Sequence, residues 1–256
     1  MLINLSNLCE KYSIRPEGVL HIGAHLGEER SDYESCGFKK VVWIEANPEL
    51  ANSLSDRFAS SERAFESEIV LTAAISEVEN ETASFFVTNN FQSSSLRKFG
   101  LHQLFYPDIK VNKTITVSTR RIDGIFDCAP ELAEGLTFAN LDIQGMELEA
   151  IQGFGKYLEQ FEWIYTEVNR SEVYRGNSLV WDIDLYLLHR GFVRVETNWT
   201  PNDWGDAFYN RCKLSVGYQL RESLRLRMVK NGFGLINALK RVKRGLKRRL
   251  RRKQAL

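Results

Sequence analysis

Short apolar runs alternate with mixed polar and apolar segments along most of this chain. Five runs are hydrophobic at nearly every position, which is usual for strands covered on both faces of a sheet: Gly18–Ala24, Lys40–Glu45, Ser67–Ile75, Leu136–Ile143 and Trp163–Val168. The segments beside them predict helices at Leu2–Tyr12, Glu28–Cys36, Met146–Leu158 and Leu179–His189, and one beginning at Pro48. This alternation predicts a parallel sheet with right-handed crossover connections.

Further strands are expected outside this alternation. Thr82–Thr88 and Thr114–Thr119 flank a loop-rich insertion at Asn89–Lys113. At the other end of the domain, antiparallel strands are predicted at Phe192–Thr197 and Ala207–Leu214. The loop between these last two strands is expected to run from Trp199 to Asp206.

The first strand runs into a turn of small residues, and the second strand ends in a carboxylate. The turn contains Gly23 and Gly27, and Glu45 stands 22 residues after Gly23. A glycine at such a turn lets the backbone approach a ligand closely. A carboxylate after the second strand can accept both hydroxyls of a ribose. The pair therefore indicates a site for a nucleotide-type cofactor.

The spacing of the glycines limits the choice of cofactor. A dinucleotide loop has the pattern G-x-G-x-x-G, whereas His25 and Glu28 occupy its second and third glycine positions here. The sequence also lacks the G-x-x-x-x-G-K-[ST] phosphate loop. An acid beside the loop suits an adenosine with a cationic head, as in S-adenosylmethionine, better than a pyrophosphate. A turn whose glycines are purely structural is the alternative.

Polar side chains follow the ends of the central strands. Open α/β sheets bind their ligands outside the carboxyl ends of the strands. Glu45, Asp142 and Glu167 stand at three such ends, with Gln144 and Asn169 just beyond them. One acid at a strand end is commonly a helix cap, but three at one edge favour a ligand site.

An ordered set of segments resembles the FkbM family of class I S-adenosylmethionine-dependent methyltransferases. The segments are HIGAHLGEE (His21–Glu29), VWIEANP (Val42–Pro48), AAIS (Ala73–Ser76), SSSL (Ser93–Leu96), STRRIDGIF (Ser118–Phe126), NLDIQGMELEAIQGF (Asn140–Phe154) and IYTEVN (Ile164–Asn169). The resemblance implies a Rossmann-like α/β fold with a mostly parallel seven-stranded sheet, helices on both faces and an antiparallel last strand. It also implies methylation of hydroxyl groups, commonly on sugars or secondary metabolites.

The same resemblance implies how S-adenosylmethionine would be held. The implied donor-binding residues are His21, Gly23, Ala24, His25, Gly27 and Glu28 in the first loop, Glu45 and Ala46 at the ribose, Ala74, Ile75 and Ser76 at the adenine, and Asp142 at the methionine part.

Two positions depart from the family pattern. His21 stands where the first loop often has an acid, and a neutral histidine offers no fixed negative charge to the donor's ammonium. Gln144 replaces the first glutamate of the pattern D-x-E-G-x-E, although Asp142 and Glu147 are retained. If that glutamate served as a base, another group would have to replace it.

Removal of the acceptor's proton calls for a base. We expect Asp142 to be this base or to position the acceptor, followed by His25, whose ordinary pKa lies near neutrality, and then Glu167. A structural role is the alternative for each, such as helix capping by His25. The four histidines are dispersed and form no cluster that would support a metal site, although a metal held by Asp142 and Glu167 is the alternative.

Substrate contacts are expected from the insertion and from the segment after Asp142. The predicted substrate residues are Ser94, Ser95, Gln144 and Glu147. The aromatic residues Phe91, Phe99, Phe105 and Tyr106 would form an acceptor pocket or lid, and Trp199 and Trp204 would offer faces for a sugar. An ordinary polar loop over a small satellite core is the alternative.

The formal net charge of +1 conceals a strong asymmetry. Residues 221–256 contain 14 Lys and Arg but one acid and carry +13, whereas residues 1–220 carry −12. Apolar residues recur at helical spacing in this tail from Leu235 to Leu250. The pattern favours an amphipathic helix on an anionic membrane surface. Docking of the tail on the acidic body is the alternative. Nucleic acid is disfavoured because Phe233 is the tail's single aromatic residue.

Length and composition bound the remaining choices. The 256 residues are 43% hydrophobic and 26% charged, as in an ordinary globular protein. The four cysteines form no C-x-x-C pair, and neither a signal peptide nor a membrane-spanning run is predicted. We therefore expect a cytoplasmic protein, peripheral at the inner membrane surface. It should have an N-terminal helix (residues 1–17), a methyltransferase domain (residues 18–220) and a basic tail (residues 221–256).

Three functions are consistent with the sequence. The first is O-methylation of a sugar, glycan or related metabolite. The second is methylation of nitrogen or RNA, which the absence of an N/D-P-P-Y/F motif disfavours. The third is a membrane-tethered binding module in which His21 and Gln144 have weakened the donor site.

Overall fold

The computed structural model describes residues 1–15 and 17–232. The strands in this part of the chain are β1 (Gly18–Ile22), β2 (Lys40–Glu45), β3 (Ser67–Thr72), β4 (Ala74–Ile75), β5 (Thr82–Thr88), β6 (Val111–Arg120), β7 (Leu136–Leu141), β8 (Trp163–Asn169), β9 (Phe192–Trp199) and β10 (Trp204–Arg211). The main sheet has the order β3–β2–β1–β7–β8–β10–β9. The last strand along the chain, β10, lies between β8 and β9 and is antiparallel to both. The other neighbouring pairs are parallel. The expected fold class is confirmed.

Helices cover both faces of the main sheet. They are α1 (Leu5–Lys11), α2 (Arg30–Cys36), α3 (Pro48–Ser60), α4 (His102–Phe105), α5 (Ile122–Cys128), α6 (Pro130–Ala133), α7 (Glu147–Gly153), α8 (Val180–Leu188) and α9 (residues 216–232), with a 3-10 helix at Gly155–Gln160. Alternate strand residues enter two separate cores, because successive side chains point to opposite faces. Val19 and Val41 pack on the α1–α3 side, and Leu20 and Val42 pack on the α5, α7 and α8 side.

A second, three-stranded sheet has the order β4–β6–β5. It begins where the chain leaves the main sheet after Thr72. The amide of Ala73 still donates to the carbonyl of Glu45 at 3.0 Å, but Ala74 and Ile75 pair with β6. The continuous strand predicted at Ser67–Ile75 is therefore wrong, because its last residues belong to another sheet.

Other boundaries also differ from the prediction. The helix predicted at Met146–Leu158 ends at Gly153. Gly155, which has a φ of +51°, begins a 3-10 helix that runs to Gln160. The loop predicted at Trp199–Asp206 shrinks to residues 200–203, where the amide of Thr200 donates to the carbonyl of Trp204 at 2.8 Å. Polar residues in this hairpin interrupt the hydrophobic pattern, so the pattern did not predict the full length of its strands.

Both ends of the described chain pack on the body. Leu5 and Leu8 of α1 are buried in the core of one sheet face. Helix α9 lies along α8, since the Gln219 side-chain amide donates to the Leu188 carbonyl at 3.2 Å and Lys230 pairs with Asp182. The boundary predicted at residue 221 falls inside α9.

The apolar repeat predicted at Leu235–Leu250 lies outside the described residues. None of the helices in the described ranges is both long and apolar enough to cross a bilayer.

Candidate active site

The loop after β1 is fixed by close packing against the end of β7. Gly23 has a φ of +91°, and a Cβ atom there would lie 1.9 Å from the carbonyl oxygen of Asp142. Only glycine fits this approach. The amides of Gly23 and Ala24 donate to the carbonyl of Ile44 at 2.8 and 3.0 Å. The ends of β1, β2 and β7 thus meet at one edge.

Glu45 ties this loop to β2. One carboxylate oxygen accepts the backbone N–H of His25 at 2.8 Å, and the other accepts that of Asn47 at 2.8 Å. Burial raises the pKa of Glu45, while these backbone hydrogen bonds oppose the rise. Since each carboxylate oxygen has two lone pairs, one on each oxygen is left for the hydroxyls of a ribose.

A cavity adjoins Glu45 and Gly23, with about 550 Å³ of empty space when the open solvent at its mouth is included. Its apolar walls include Ile44, Ala74 and Ile75, which suit a flat purine. An acid beside apolar walls is the environment that an adenosine requires, so the residues present fit the donor. The predicted site residues that line this cavity are Gly23, His25, Glu45, Ala46, Ala74, Ile75, Ser94, Asp142 and Gln144.

A second cavity of about 520 Å³, with the open solvent at its mouth left out, lies beside the first. Its lining includes the predicted residues His21, Glu28 and Glu167 and the aromatic residues Tyr106 and Trp204. Five residues line both cavities and mark the junction between them: Gly23, His25, Gln92, Asp142 and Gln144. A group passed from one cavity to the other would cross at these side chains.

Gln144 links Asp142 at the junction to Glu167 in the second cavity. Its amide nitrogen donates to Asp142 at 2.5 Å and to Glu167 at 2.9 Å. The Tyr174 hydroxyl donates to its amide oxygen and so fixes which way the amide faces. The backbone of Gln144 has a φ of +57°. A glutamate at this position would bring a third carboxylate against the other two.

Asp142 and Glu167 differ in how readily they hold a proton. Desolvation by the surrounding protein and the charge of Asp206 raise the pKa of Asp142 to about 6, although Asp142 is an exposed residue that lines both cavities. Burial and the charge of Asp142 raise the pKa of Glu167 well above its usual range. Glu167 therefore retains its proton more readily, and Asp142 is the better base at neutral pH.

His21, which lies in β1, and His25, which lies in the loop after it, play different parts. His25 lines the junction with a φ of +46°, and its Nδ1 lies 2.7 Å from Glu28. His21 is buried, and its Nδ1 lies 2.9 Å from the Tyr33 hydroxyl. Burial lowers the pKa of His21, so it adds no positive charge to the second cavity.

Five predicted site residues line neither cavity: Ala24, Gly27, Ser76, Ser95 and Glu147. Ala24 packs in the core, Gly27 abuts Phe58, and the Ser76 hydroxyl donates to Glu77. The Ser95 hydroxyl donates to the Gln144 carbonyl at 2.8 Å.

Glu147 supports the junction from below. Its carboxylate accepts the N–H of Gly145 at 2.9 Å and that of Ile143 at 3.2 Å. Burial raises the pKa of Glu147 to about 8, which these hydrogen bonds oppose. Glu147 therefore holds the loop after β7 and is not placed to contact a substrate.

Sequence reasoning did not select Gln92 or Tyr174. Gln92 reaches the junction from the insertion, and Tyr174 reaches Gln144 from the loop after β8. Neither stands at the end of a strand, so the pattern that marks Asp142 and Glu167 is absent. The proximity of Ser93–Leu96, a segment of the resemblance, was the one signal that pointed to the Gln92 region.

The chain is similar to several known methyltransferases. Over 84 residues the chain is 32% identical to the 2-O-methyltransferase NoeI of Sinorhizobium fredii; the match covers 33% of this chain and about a third (34%) of that protein. Magnesium protoporphyrin IX methyltransferase (ChlM) of Synechocystis PCC 6803, solved with bound SAM, is 10% identical, with a TM-score of 0.46 over 82% of this chain and 77% of that one. TrmK of M. capricolum, in complex with S-adenosyl-homocysteine, is 8% identical, with a TM-score of 0.42 over 84% and 71%. At these values neither structural likeness bears on the acceptor.

The family comparison covers most of the domain. The methyltransferase FkbM domain matches residues 21–194, which is well over half of the chain and includes both cavities' strand-end residues. The chain therefore belongs to the FkbM methyltransferase family.

Proposed function

We propose that the protein transfers a methyl group to a hydroxyl of a sugar, glycan or related small metabolite. The observation that carries this proposal is the pair of adjoining cavities with Asp142 at their junction. One cavity combines Glu45 with apolar walls, and the other is larger and lined by polar and aromatic side chains. The match to the 2-O-methyltransferase NoeI supports oxygen as the acceptor atom.

The chain's residues would act mainly by placement. When bound, the donor supplies an activated methyl group, so orientation of the acceptor oxygen provides much of the acceleration. Asp142 would take the acceptor's hydroxyl proton. Gln144 would keep the Asp142 carboxylate pointed into the junction, and Glu45 would hold the donor's ribose.

The proposal is tested by separating donor binding from transfer. Asp142→Asn should abolish transfer of labelled methyl groups to a panel of neutral sugars and oligosaccharides while leaving affinity for S-adenosylhomocysteine within about threefold. Asp32→Asn, an exposed aspartate on α2, is the matched control. Full activity of Asp142→Asn would remove Asp142 as base. Donor binding without transfer to any hydroxyl would favour a binding module.

We also propose that the chain is held at an anionic membrane surface on its cytoplasmic side. The tail's charge of +13 supports this, and α9 adds a described surface. Val216, Leu220, Leu224 and Met228 recur every four residues, and each is at least 60% exposed. The inner face of α9, with Leu226, packs on the body. An apolar stripe that faces outward beside arginines is suited to the interface of an acidic bilayer.

Vesicle sedimentation tests the membrane proposal. Leu224→Glu with Met228→Glu should reduce binding of the full chain to vesicles rich in phosphatidylserine by about tenfold or more. Leu104→Glu, which changes an equally exposed leucine on α4, should leave binding unchanged. Equal sedimentation of all three proteins, or equal binding to neutral vesicles, would contradict the proposal.

A further inference from the structure

The hydroxyl of Tyr106 is surrounded by donors. The Trp204 indole N–H and the Asn202 side-chain amide each donate to it at 2.9 Å. A phenolic oxygen accepts two hydrogen bonds and donates one. Both acceptor positions are therefore used, and the remaining capacity of Tyr106 is to donate its proton.

The hydroxyl proton of Tyr106 is available to a ligand, because no protein group among the described residues accepts it. Tyr106 lines the second cavity, and none of the hydrogen bonds found among the described residues gives its proton an acceptor. The ring of His102 lies 5.1 Å from that of Tyr106 and stacks on Phe99 at 4.3 Å, which holds this wall in place. A rigid donor on a cavity wall is well placed to bind an oxygen atom of an incoming molecule.

The charge of the second cavity restricts that molecule. Four acidic side chains line it, those of Glu28, Glu29, Asp142 and Glu167, of which Glu167 retains its proton most readily. Its described lining contains no lysine or arginine side chain. The amino group of Met1 lies 3.5 Å from Glu29 and offsets the charge of that acid. Burial lowers the pKa of both His21 and His102, which leaves these rings uncharged at neutral pH. An anionic group in this cavity would be repelled.

We propose that Tyr106 binds the acceptor by donating its hydroxyl proton to an acceptor oxygen, and that the acidic wall confines this subsite to a polyhydroxylated unit without negative charge. This inference rests on the proposed function, since it assigns the second cavity to the acceptor. It makes Tyr106 a specificity-determining residue, although Tyr106 lies outside the segments that carry the family resemblance.

Two matched probes and three variants test the inference in the full chain. The probes are methyl β-D-glucoside and methyl β-D-glucuronide, which differ mainly in the charge of one substituent. Binding to the complex with S-adenosylhomocysteine is measured by NMR saturation transfer, and methyl transfer is measured with labelled donor. Tyr106→Phe removes the donor, Asn202→Asp offers the Tyr106 proton a competing acceptor, and Tyr157→Phe is the control because its hydroxyl binds Asp127 at 2.9 Å.

We expect the glucoside to bind at least about tenfold more tightly than the glucuronide. Tyr106→Phe and Asn202→Asp should weaken glucoside binding about three- to tenfold, the range for one hydrogen bond, and leave donor affinity unchanged. Equal or tighter binding of the glucuronide, unchanged glucoside binding by Tyr106→Phe, or no glucoside binding by a donor-loaded chain would overturn the inference. Failure of donor binding or of transfer to every hydroxyl would instead overturn the proposed function.

Discussion

Replacement of Glu45 separates its structural role from its role in holding the donor. Glu45→Ala leaves the backbone N–H groups of His25 and Asn47 without their acceptors. An unsatisfied buried donor costs about 1–3 kcal/mol, so this change should cost about 2–6 kcal/mol of stability. That is a large part of the usual free energy of unfolding of about 5–15 kcal/mol.

Glu45→Gln is the sharper variant. Its amide oxygen can still accept one of the two N–H groups, so it should lose about 1–3 kcal/mol of stability. It also exchanges a charged acceptor for a neutral one at the ribose. Hydrogen bonds to charged groups contribute about 1 kcal/mol more than neutral ones, so affinity for the donor should fall about five- to tenfold.

Calorimetric titration with S-adenosylhomocysteine and thermal unfolding measure the two effects separately. Glu49→Gln is the control, because Glu49 lies in the first turn of α3 with an exposed side chain that pairs with Lys113. A folded Glu45→Gln protein with the affinity of the parent would show that Glu45 serves the loop alone.

Three further predictions concern the junction and its loop. Gln144→Glu should shift the pH profile of methyl transfer upward by at least about one unit, because a carboxylate 2.5 Å from Asp142 raises the pKa of Asp142 above about 6. The control Gln103→Glu changes an exposed residue of α4 and should leave the profile unchanged. A Gln144→Glu enzyme that is faster at every pH would contradict the role of the Gln144 amide. In the parent, kcat/KM should fall about tenfold per unit as the pH drops below about 6, since a base must be deprotonated, and a flat profile down to about pH 5 would exclude Asp142 as base. Gly23→Ala should destabilise the fold by more than about 3 kcal/mol in denaturant titration. The control Gly217→Ala, whose added methyl group meets no neighbouring atom, should not. A Gly23→Ala protein as stable as the parent would refute the close approach of Gly23 to Asp142.

The amino-acid sequence determines the layout of the fold and the edge at which the site lies. Continuous apolar runs specify strands covered on both faces, and their alternation with helices leaves the parallel arrangement as the natural solution. The carboxyl ends of parallel strands share one edge, so the positions of Glu45, Asp142 and Glu167 along the chain suffice to assign them to one region. Even the close contact after β1 was signalled by Gly23.

The tertiary structure decided which side chains share that region. Hydrophobic periodicity reports the direction of regular elements, but it carries no information on how a polar insertion folds back over them. Gln92 and Tyr106 therefore reach the cavities, and Tyr174 reaches Gln144, through loops. Whether a polar residue near a strand end faces a ligand or a backbone amide depends on contacts made by distant segments. For that reason the sequence marks both Asp142 and Glu147, and packing alone leaves Asp142 at the junction and buries Glu147 beneath it.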